Sequence, residues 1–282
     1  MSGQRVVGWA DAAPLSLSGR PVRLVPLVVG FESISESISV AGGSRFRHLM
    51  EPVTAVAVVF EEGWILFDGG FDPARIRDRA RRRASFDYEN YGPIVPAGDP
   101  LVEQIAAAGL VWAGLAAVVL SHAHFDHTGG VRLLADDQPV ILQRREWEHV
   151  ISTPDPRAAF LFVDDLVRES GTIVLLDGDI DGDVAIAPGV CAIDTSGHTP
   201  GHQSLVVELP DRTVVLAGDA ADLRANVERC VPTGSTVGPD GPERARRAVA
   251  RLAALDALPG TEVWPGHDPD WAPWRAVIDA QS

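Results

Sequence analysis

The chain has 282 residues, of which 46% are hydrophobic, and a formal net charge of −15 at pH 7. This length and composition predict one large globular domain or two small ones. The acidic balance argues against a polyanionic partner such as nucleic acid. Two cysteines, Cys191 and Cys230, give no disulfide framework and are typical of a reducing compartment.

The N-terminal residues lack the basic segment and apolar core of a secretory signal, and no apolar run reaches the length of a membrane span. We therefore expect a cytoplasmic protein without a membrane partner, folded as a single domain over residues 1–282. Residues 1–20 are polar and turn-rich, which predicts either a mobile arm or an edge strand.

The first apolar run, residues 23–31, contains a proline and predicts a strand at a sheet edge. Residues 32–50 are rich in serine and glycine, and predict a loop near one mouth of the fold. Residues 53–60 and 64–68 flank Glu-Glu-Gly, which predicts a β-hairpin. The hairpin ends at Asp68, which is either a turn former or the acceptor that orients a metal-binding histidine.

The next segment is basic and then aromatic. Residues 75–83 include six arginines in nine positions and predict a solvated helix face, with anion binding as the alternative. Residues 85–98 hold Phe86, Tyr88 and Tyr91, and predict a loop that lines a substrate pocket. We expect two such pocket insertions, at residues 71–98 and 152–170. Asp99 and Pro100 then predict the start of a helix.

A histidine-rich motif follows the apolar residues 116–120, which predict a buried strand. Residues 121–130 read Ser-His-Ala-His-Phe-Asp-His-Thr-Gly-Gly. Alternation along a strand would bring His122, His124 and Asp126 to one face, with His127 at the following turn. Imidazole and carboxylate form the ligand set of zinc, and less often of iron or manganese. The motif therefore predicts a metal site.

Further short strands are predicted after residue 170, and a strand–hairpin–helix pattern occurs before and after about residue 180. This repetition predicts two similar halves packed sheet on sheet with helices outside. His198, Asp219 and His267 each lie at the end of a predicted strand. Together with the motif they give seven candidate ligands. Seven exceed the three or four of one catalytic zinc, but suit two metals that share a carboxylate.

The order and spacing of these residues resemble the metallo-β-lactamase superfamily over about residues 20–275. The resemblance implies an α+β fold, a four-layer αββα sandwich, with a dinuclear metal site. It implies that His122, His124 and His198 hold one ion. Asp126, His127 and His267 would hold the other, with Asp219 as the bridge. Asp68 matches the supporting aspartate of the family, and His202 is implied to support the ligands.

Within the superfamily, residues 121–130, Gly-His-Thr-Pro-Gly-His-Gln-Ser-Leu and Gly-His-Asp are most similar to N-acyl homoserine lactonases. This likeness implies a quorum-quenching hydrolase that opens a lactone or related ester by attack of a metal-bridging hydroxide. Asp126 and Asp219 are the implied catalytic carboxylates. The implied cofactors are two divalent ions, Zn²⁺ by default and Fe or Mn as alternatives. The expected partner is a small-molecule acyl lactone, ester or thioester.

One departure from the lactonase pattern concerns substrate activation. Many of those enzymes carry a tyrosine three residues after the bridging aspartate, where this chain has Asp222. A carboxylate donates a hydrogen bond only when it is protonated, so Tyr88 or Tyr91 is expected to substitute.

A thioester hydrolase or cyclase, or a phosphodiesterase, is the alternative function, and a non-catalytic metal-binding module ranks last. The expected oligomeric state is monomer or homodimer.

Overall fold

The computed structural model describes residues 3–85, 91–180 and 182–281. Within these residues the strands form two sheets. The strands of the first sheet are β1 (Arg5–Gly8), β2 (Ser18–Ser35), β3 (His48–Glu62), β4 (Trp64–Phe67), β5 (Gly92–Ile94), β6 (Leu115–Val119), β7 (Val140–Gln143) and β8 (Thr172–Leu176). Those of the second are β9 (Val184–Ala187), β10 (Val190–Asp194), β11 (Gln203–Glu208), β12 (Thr213–Leu216) and β13 (Thr261–Trp264).

The first sheet has the order β1-β8-β7-β6-β4-β3-β2-β5, and the second has the order β13-β12-β11-β10-β9. The helices in the described residues are α1 (Glu36–Ser39), α2 (Pro73–Arg77), α3 (Arg79–Ser85), α4 (Pro100–Ala107), α5 (Phe125–Thr128), α6 (Arg144–Ser152), α7 (Val163–Leu166), α8 (Arg224–Arg229), α9 (Gly241–Asp256) and α10 (Ala272–Gln281). The first sheet ends at Leu176 and the second begins at Val184, so the predicted division near residue 180 is confirmed.

Successive side chains along each strand point to opposite faces of its sheet, and this alternation separates the central layer of the fold from the outer layers. In β3, Val56 and Val58 pack into the apolar layer between the two sheets, while Ala55 and Ala57 pack with helix α4 on the outer face. In β12, Val214 and Leu216 face the same central layer. Val215 faces outward and packs with α9. Both sheets are therefore covered by helices, and the predicted αββα sandwich is confirmed.

Two predictions about the N-terminal third need revision. Residues 32–50 are not one loop, because β2 continues to Ser35, α1 follows and β3 begins at His48. The strand around Pro26 is not simply an edge strand. It pairs with β3 along its length, and with β5 at residues 31–33. Of the two alternatives for residues 1–20, the structure places Arg5–Gly8 as an edge strand parallel to β8.

The basic segment was predicted as a solvated helix face, and this is wrong for Arg75. Its side chain is only 14% exposed, and its guanidinium lies 3.3 Å from Asp165. The same group stacks 4.3 Å from the centre of the Phe162 ring. The segment is also two short helices rather than one, since α2 ends at Arg77 and α3 begins at Arg79. The partners of Arg75 come from residues far along the chain, which the local pattern does not contain.

No helix in the described part of the chain is both long and apolar enough to cross a membrane.

The C-terminal helix is expected to stabilise the sandwich through Trp274. Its side chain is 2% exposed, its ring meets Trp264 edge-on at 5.5 Å, and its indole N–H donates to the carbonyl of Pro265 at 2.9 Å. Replacing Trp274 with Ala should lower the free energy of unfolding by about 3–5 kcal/mol, because it opens a cavity in the central layer. Denaturant unfolding measures this loss. Trp274→Phe should lose less, and equal stability of Trp274→Ala and the parent would contradict the assignment.

Candidate metal centre

The histidine motif lies in a turn and a short helix rather than on a strand. Strand β6 ends at Val119, and His124 occupies the N-cap position of α5. The prediction that strand alternation gathers His122, His124 and Asp126 is therefore wrong in its mechanism, although the side chains do converge. The turn brings the two histidines inward, and the first turn of α5 adds Asp126 and His127.

Close backbone packing fixes this turn against the segment that follows β4. The Gly129 N–H donates to the carbonyl of Gly70, and the Gly69 N–H donates to the carbonyl of His127, both at 2.7 Å. A Cβ atom on Gly129 would lie 2.1 Å from the carbonyl carbon of Phe71. Glycine is therefore required here because the two backbones touch.

The other three candidate ligands also follow strands. His198 lies in the turn between β10 and β11, Asp219 in a short 3₁₀ helix after β12, and His267 directly after β13. Among the seven candidates, His124 is half-buried and the others are buried. Residues separated by up to 145 positions thus meet at one edge of the two sheets.

The side chains form two groups that share one carboxylate. Within each group the candidate ligand atoms all lie within 4.8 Å of one another. The first group consists of His122, His124, His198 and Asp219, and the second consists of Asp126, His127, Asp219 and His267.

The two oxygens of Asp219 face different groups. Its Oδ1 lies 3.0 Å from His267 Nε2 and 3.3 Å from His127 Nε2. Its Oδ2 lies 3.4 Å from His198 Nε2 and 3.7 Å from His122 Nε2. A carboxylate in this position is able to bridge two cations, one on each side.

In three of the histidines, the ring nitrogen that faces away from the cluster makes a hydrogen bond to the protein, as is typical of histidines that bind metals. His127 Nδ1 is 2.9 Å from Asp68 Oδ2, His198 Nδ1 is 3.1 Å from the carbonyl of Ser235, and His267 Nδ1 is 2.9 Å from the carbonyl of Pro52. These contacts suit an N–H on Nδ1 and turn the Nε2 atom of each of these rings toward its group of candidate ligands. Among the described atoms, the buried Nε2 of His122 and of His127 makes no hydrogen bond.

Asp68 is held in turn by Ser121. Its Oδ1 accepts from the Ser121 backbone N–H at 2.7 Å, and its Oδ2 accepts from the Ser121 hydroxyl at 2.8 Å. The same hydroxyl lies 2.9 Å from His122 Nδ1. Asp68 has a left-handed backbone, with φ of 57°. This left-handed conformation, which residues other than glycine rarely adopt, holds the Asp68 carboxylate between Ser121 and His127.

The electrostatics of the cluster suit cations. Burial lowers the pKa of His124 to about 3, so this ring is neutral and able to coordinate a metal. Burial alone would also lower the pKa of His127, but the carboxylates of Asp126, Asp219 and Asp68 raise it well above its usual value. The histidines around Asp219 outweigh burial and hold its pKa well below the usual range. The imidazole and carboxylate donors that face one another in the two groups therefore fit divalent ions.

His202 lies behind the first group rather than in it. Its Nδ1 is 2.9 Å from the Thr195 hydroxyl, and its ring centre is 5.3 Å from that of His122. Its Nε2 is buried without a hydrogen-bond partner among the described residues. The supporting role expected for His202 therefore stays a prediction.

A cavity of about 50 Å³ opens beside the cluster. Of the predicted pocket residues, Tyr91 and Asp222 line it, while Phe86 and Tyr88 lie outside the described residues. Phe160, from the predicted 152–170 insertion, lines it too.

The sequence reasoning missed Glu32 and Glu51, which line the same cavity. In the sequence, each of these glutamates is an acidic residue at the edge of an apolar stretch. That pattern is too common to identify a site residue.

A third missed residue, Glu146, joins two ligand-bearing turns. It is fully buried on α6, and its Oε1 accepts from the Ala123 N–H at 2.9 Å. Its Oε2 accepts from the Gly201 N–H, also at 2.9 Å. One carboxylate thus holds the turn of His122 and His124 against the turn of His198. Charge-assisted bonds of this kind are stronger than neutral ones.

Glu146→Gln should weaken metal binding, because an amide nitrogen would face one of these two backbone donors. We expect metal affinity to fall about 10–100-fold, as for other residues that hold ligands in place. Competition with a chromophoric chelator measures the change. Glu148→Gln is the matched control, because Glu148 is exposed on the same helix. Equal affinity of the Glu146→Gln and Glu148→Gln variants would contradict the positioning role.

Comparison with known proteins identifies a family and several enzymes that are similar to this chain in sequence and fold. Residues 50–281 match the sequence profile of the metallo-beta-lactamase superfamily. N-acyl homoserine lactonase AiiA of Bacillus thuringiensis subsp. kurstaki is 31% identical over 218 residues, which cover 77% of this chain and 81% of that protein. The lactonase AttM of Rhizobium radiobacter is 31% identical over 232 residues, covering 79% and 85%.

Among solved structures, an N-acyl homoserine lactone hydrolase superposes with a TM-score of 0.75 and 26% identity, covering 88% of this chain and 94% of that one. That structure has its product, N-hexanoyl-L-homoserine, bound at the catalytic metal centre.

Proposed function

The chain belongs to the metallo-β-lactamase superfamily, and on that premise we propose that it is a metal-dependent hydrolase that opens the ester bond of a lactone. The observation that carries the proposal is Asp219, whose two oxygens face two separate groups of buried histidines. Lactonase relatives that align over more than three quarters of the chain support the reaction type. Quorum quenching follows as the biological role.

We propose two divalent metal ions, with Zn²⁺ as the default by ligand type. One would be held by His122, His124, His198 and Asp219, and the other by Asp126, His127, His267 and Asp219. When bound, such ions lower the pKa of water from ~15.7 toward ~7 and polarise an ester carbonyl.

The residues of the chain then supply orientation and proton transfer. Asp219 lies between the two groups, where one of its oxygens can accept the proton of the attacking water. The same carboxylate can return that proton to the leaving alkoxide, which becomes the hydroxyl of the ring-opened product. Asp126 lies with its Oδ2 3.2 Å from His127 Nε2, and its role is to complete the second group.

Tyr91 lines the cavity with its hydroxyl group, and we propose that it serves in place of the tyrosine that many lactonases carry at the position of Asp222. Its hydroxyl is hydrogen-bonded with Glu32. Burial, followed by the carboxylates of Glu32 and Asp126, raises the pKa of Tyr91 well above its usual value. The phenol therefore keeps its proton at neutral pH and donates it to Glu32 in the free protein. A substrate carbonyl oxygen would have to replace Glu32 as the acceptor of that hydrogen bond.

Loss of a second-group ligand tests the metal scheme. His127→Ala should bind about one ion fewer per chain and should hydrolyse lactones at least roughly 100-fold more slowly, because water activation depends on the bound ions. Metal analysis and a lactone assay measure both quantities. His48→Ala is the control, since His48 is exposed and belongs to neither group. Hydrolysis by the His127→Ala variant at the parent rate would overturn the two-metal proposal.

Removing one oxygen tests Tyr91. Tyr91→Phe keeps the ring and should lower kcat for lactones about tenfold or more, with metal content unchanged, because a donor to the developing oxyanion is lost. The Michaelis constant should change less than kcat. An unchanged kcat would show that Tyr91 only shapes the cavity.

We also propose a cytoplasmic location, which both cysteines being free supports. Monomer and homodimer stay the two predicted states, and sedimentation velocity distinguishes them.

A further inference from the structure

Phe160 lines the cavity beside the candidate metal centre in a backbone conformation that a bulky side chain disfavours. Its φ is 54°, in the left-handed region that residues other than glycine rarely adopt. Two backbone bonds close the turn that contains it, from the Leu161 N–H to the Pro156 carbonyl at 2.9 Å and from the Phe160 N–H to the Arg157 carbonyl at 3.4 Å. This bonding pattern ends many helices, and glycine is the usual residue at the position that Phe160 occupies. A phenylalanine kept at a glycine position indicates a function for its ring.

The ring of Phe160 is half-buried and forms part of the apolar lining of the cavity. Its centre lies 5.9 Å from that of the His124 ring, and it meets the Tyr91 ring edge-on at 5.7 Å. Ile34 and Ile38 contribute to the same lining. The cavity therefore combines apolar side chains with the candidate metal ligands, and the Phe160 ring lies directly beside one of those ligands.

The backbone around Phe160 is bonded to the segment that carries the histidine motif. The Phe125 N–H donates to the Phe160 carbonyl at 2.9 Å, and His124 and Leu161 form an isolated antiparallel β-bridge. Phe125 is the first residue of α5, which also carries Asp126 and His127. Backbone hydrogen bonds, and not side-chain packing alone, therefore set the position of the Phe160 ring relative to the metal centre.

Arg75 attaches residues 152–170 to the same helix through its side chain. Its guanidinium lies 3.3 Å from Asp165 Oδ1 and 4.3 Å from the centre of the Phe162 ring. Asp165 Oδ2 accepts from the hydroxyl of Thr128, the last residue of α5, at 2.6 Å. Phe162 stacks on Phe125 with ring centres 4.6 Å apart. Burial raises the pKa of Asp165 to about 6, so its carboxylate is still ionised at neutral pH and pairs with the arginine.

We propose that Phe160 is a specificity-determining residue that limits the bulk of the substituent flanking the reacting lactone, and that Arg75 positions it. The inference rests on the proposed function. The cavity beside the candidate ligands has a volume of only about 50 Å³, so the substituent of a bound lactone has to fit against the Phe160 ring. An unbranched substituent passes the ring, whereas a branched one is excluded, because a close-packed wall yields little.

Two isomeric substrates test the size limit with the metal-loaded full chain. N-pentanoyl-homoserine lactone and N-(2,2-dimethylpropanoyl)-homoserine lactone contain the same atoms, but the second is branched next to its amide carbonyl. The parent should hydrolyse the straight-chain isomer with a kcat/KM higher by about tenfold or more, because apolar pockets discriminate on this scale. Phe160→Gly should reduce this ratio to about twofold or less, with metal content unchanged. A change in kcat that both isomers share, such as one caused by movement of Tyr91, cancels in the ratio.

Denaturant unfolding separates a role in specificity from a role in folding. Glycine adopts the left-handed conformation without strain, so Phe160→Gly should be at least as stable as Phe160→Ala. Phe160→Ala should also reduce the ratio, and it keeps the test available if the glycine variant does not fold. Phe46→Gly is the matched control, because the Phe46 side chain is 95% exposed and lies outside the described lining of the cavity. It should keep the parent ratio.

Arg75→Met tests the positioning role, since methionine keeps a long apolar side chain but loses the ion pair with Asp165. The ratio should fall about threefold with metal content unchanged, because one partly buried ion pair is lost while the backbone bonds of Phe160 remain. Arg79→Met is its control, because Arg79 begins α3 and is exposed. An unchanged ratio in Arg75→Met would overturn the role of Arg75.

Two other outcomes distinguish failure of this inference from failure of the proposed function. If the parent hydrolyses both isomers equally well, or if neither Phe160 variant changes the ratio, Phe160 does not set the size limit and the inference is overturned, while the lactonase proposal stands. If the parent hydrolyses neither isomer nor unsubstituted γ-butyrolactone, the proposed function is overturned and the inference with it.

Discussion

One shared carboxylate determines the organisation of the centre. Asp219 is buried, yet each of its oxygens lies 3.0–3.7 Å from imidazole nitrogens of a different group. Burying an unpaired charge is expensive, so such a carboxylate must be matched by cations or by charged histidines. The hydrogen bonds that orient the rings, and the supporting carboxylates Asp68 and Glu146, help to keep the two groups of histidines on opposite sides of this one side chain.

The scaffold supplies rigidity where the ligands do not lie on regular elements. The candidate ligands follow β6, β10, β12 and β13, so they lie in turns at strand ends. Asp68 and Glu146 compensate, because each accepts hydrogen bonds from the backbone of a ligand-bearing turn. A turn fixed by buried charge-assisted bonds can hold a side chain as firmly as a strand does.

The cavity differs in character from the metal centre that it adjoins. The centre combines five histidines with two aspartates, whereas the cavity wall adds Glu32, Glu51 and Asp222 without an arginine or lysine among its lining residues. The candidate metal ligands are the residues that the resemblance to the superfamily implied. Asp222, which stands where many lactonases have a tyrosine, belongs to the cavity wall. The candidate metal ligands and the three cavity carboxylates thus lie beside one another in the same cavity.

The sequence by itself determined the features that depend on local order. The apolar runs predicted the strands, the repeated strand–hairpin–helix pattern predicted two sheet-bearing halves that divide near residue 180, and the spacing from His122 to His127 indicated a metal site. The resemblance carried by this motif and its later partners implied the αββα sandwich. Only the tertiary structure decided which distant residues meet. Arg75 is buried against Asp165, Glu146 joins Ala123 to Gly201, and Glu32 and Glu51 face Asp222, yet each looks like an ordinary charged residue in its own segment. The physical reason is that periodicity records how a residue relates to its own helix or strand, whereas burial and partnership of a charge are set by elements that approach it from elsewhere in the chain.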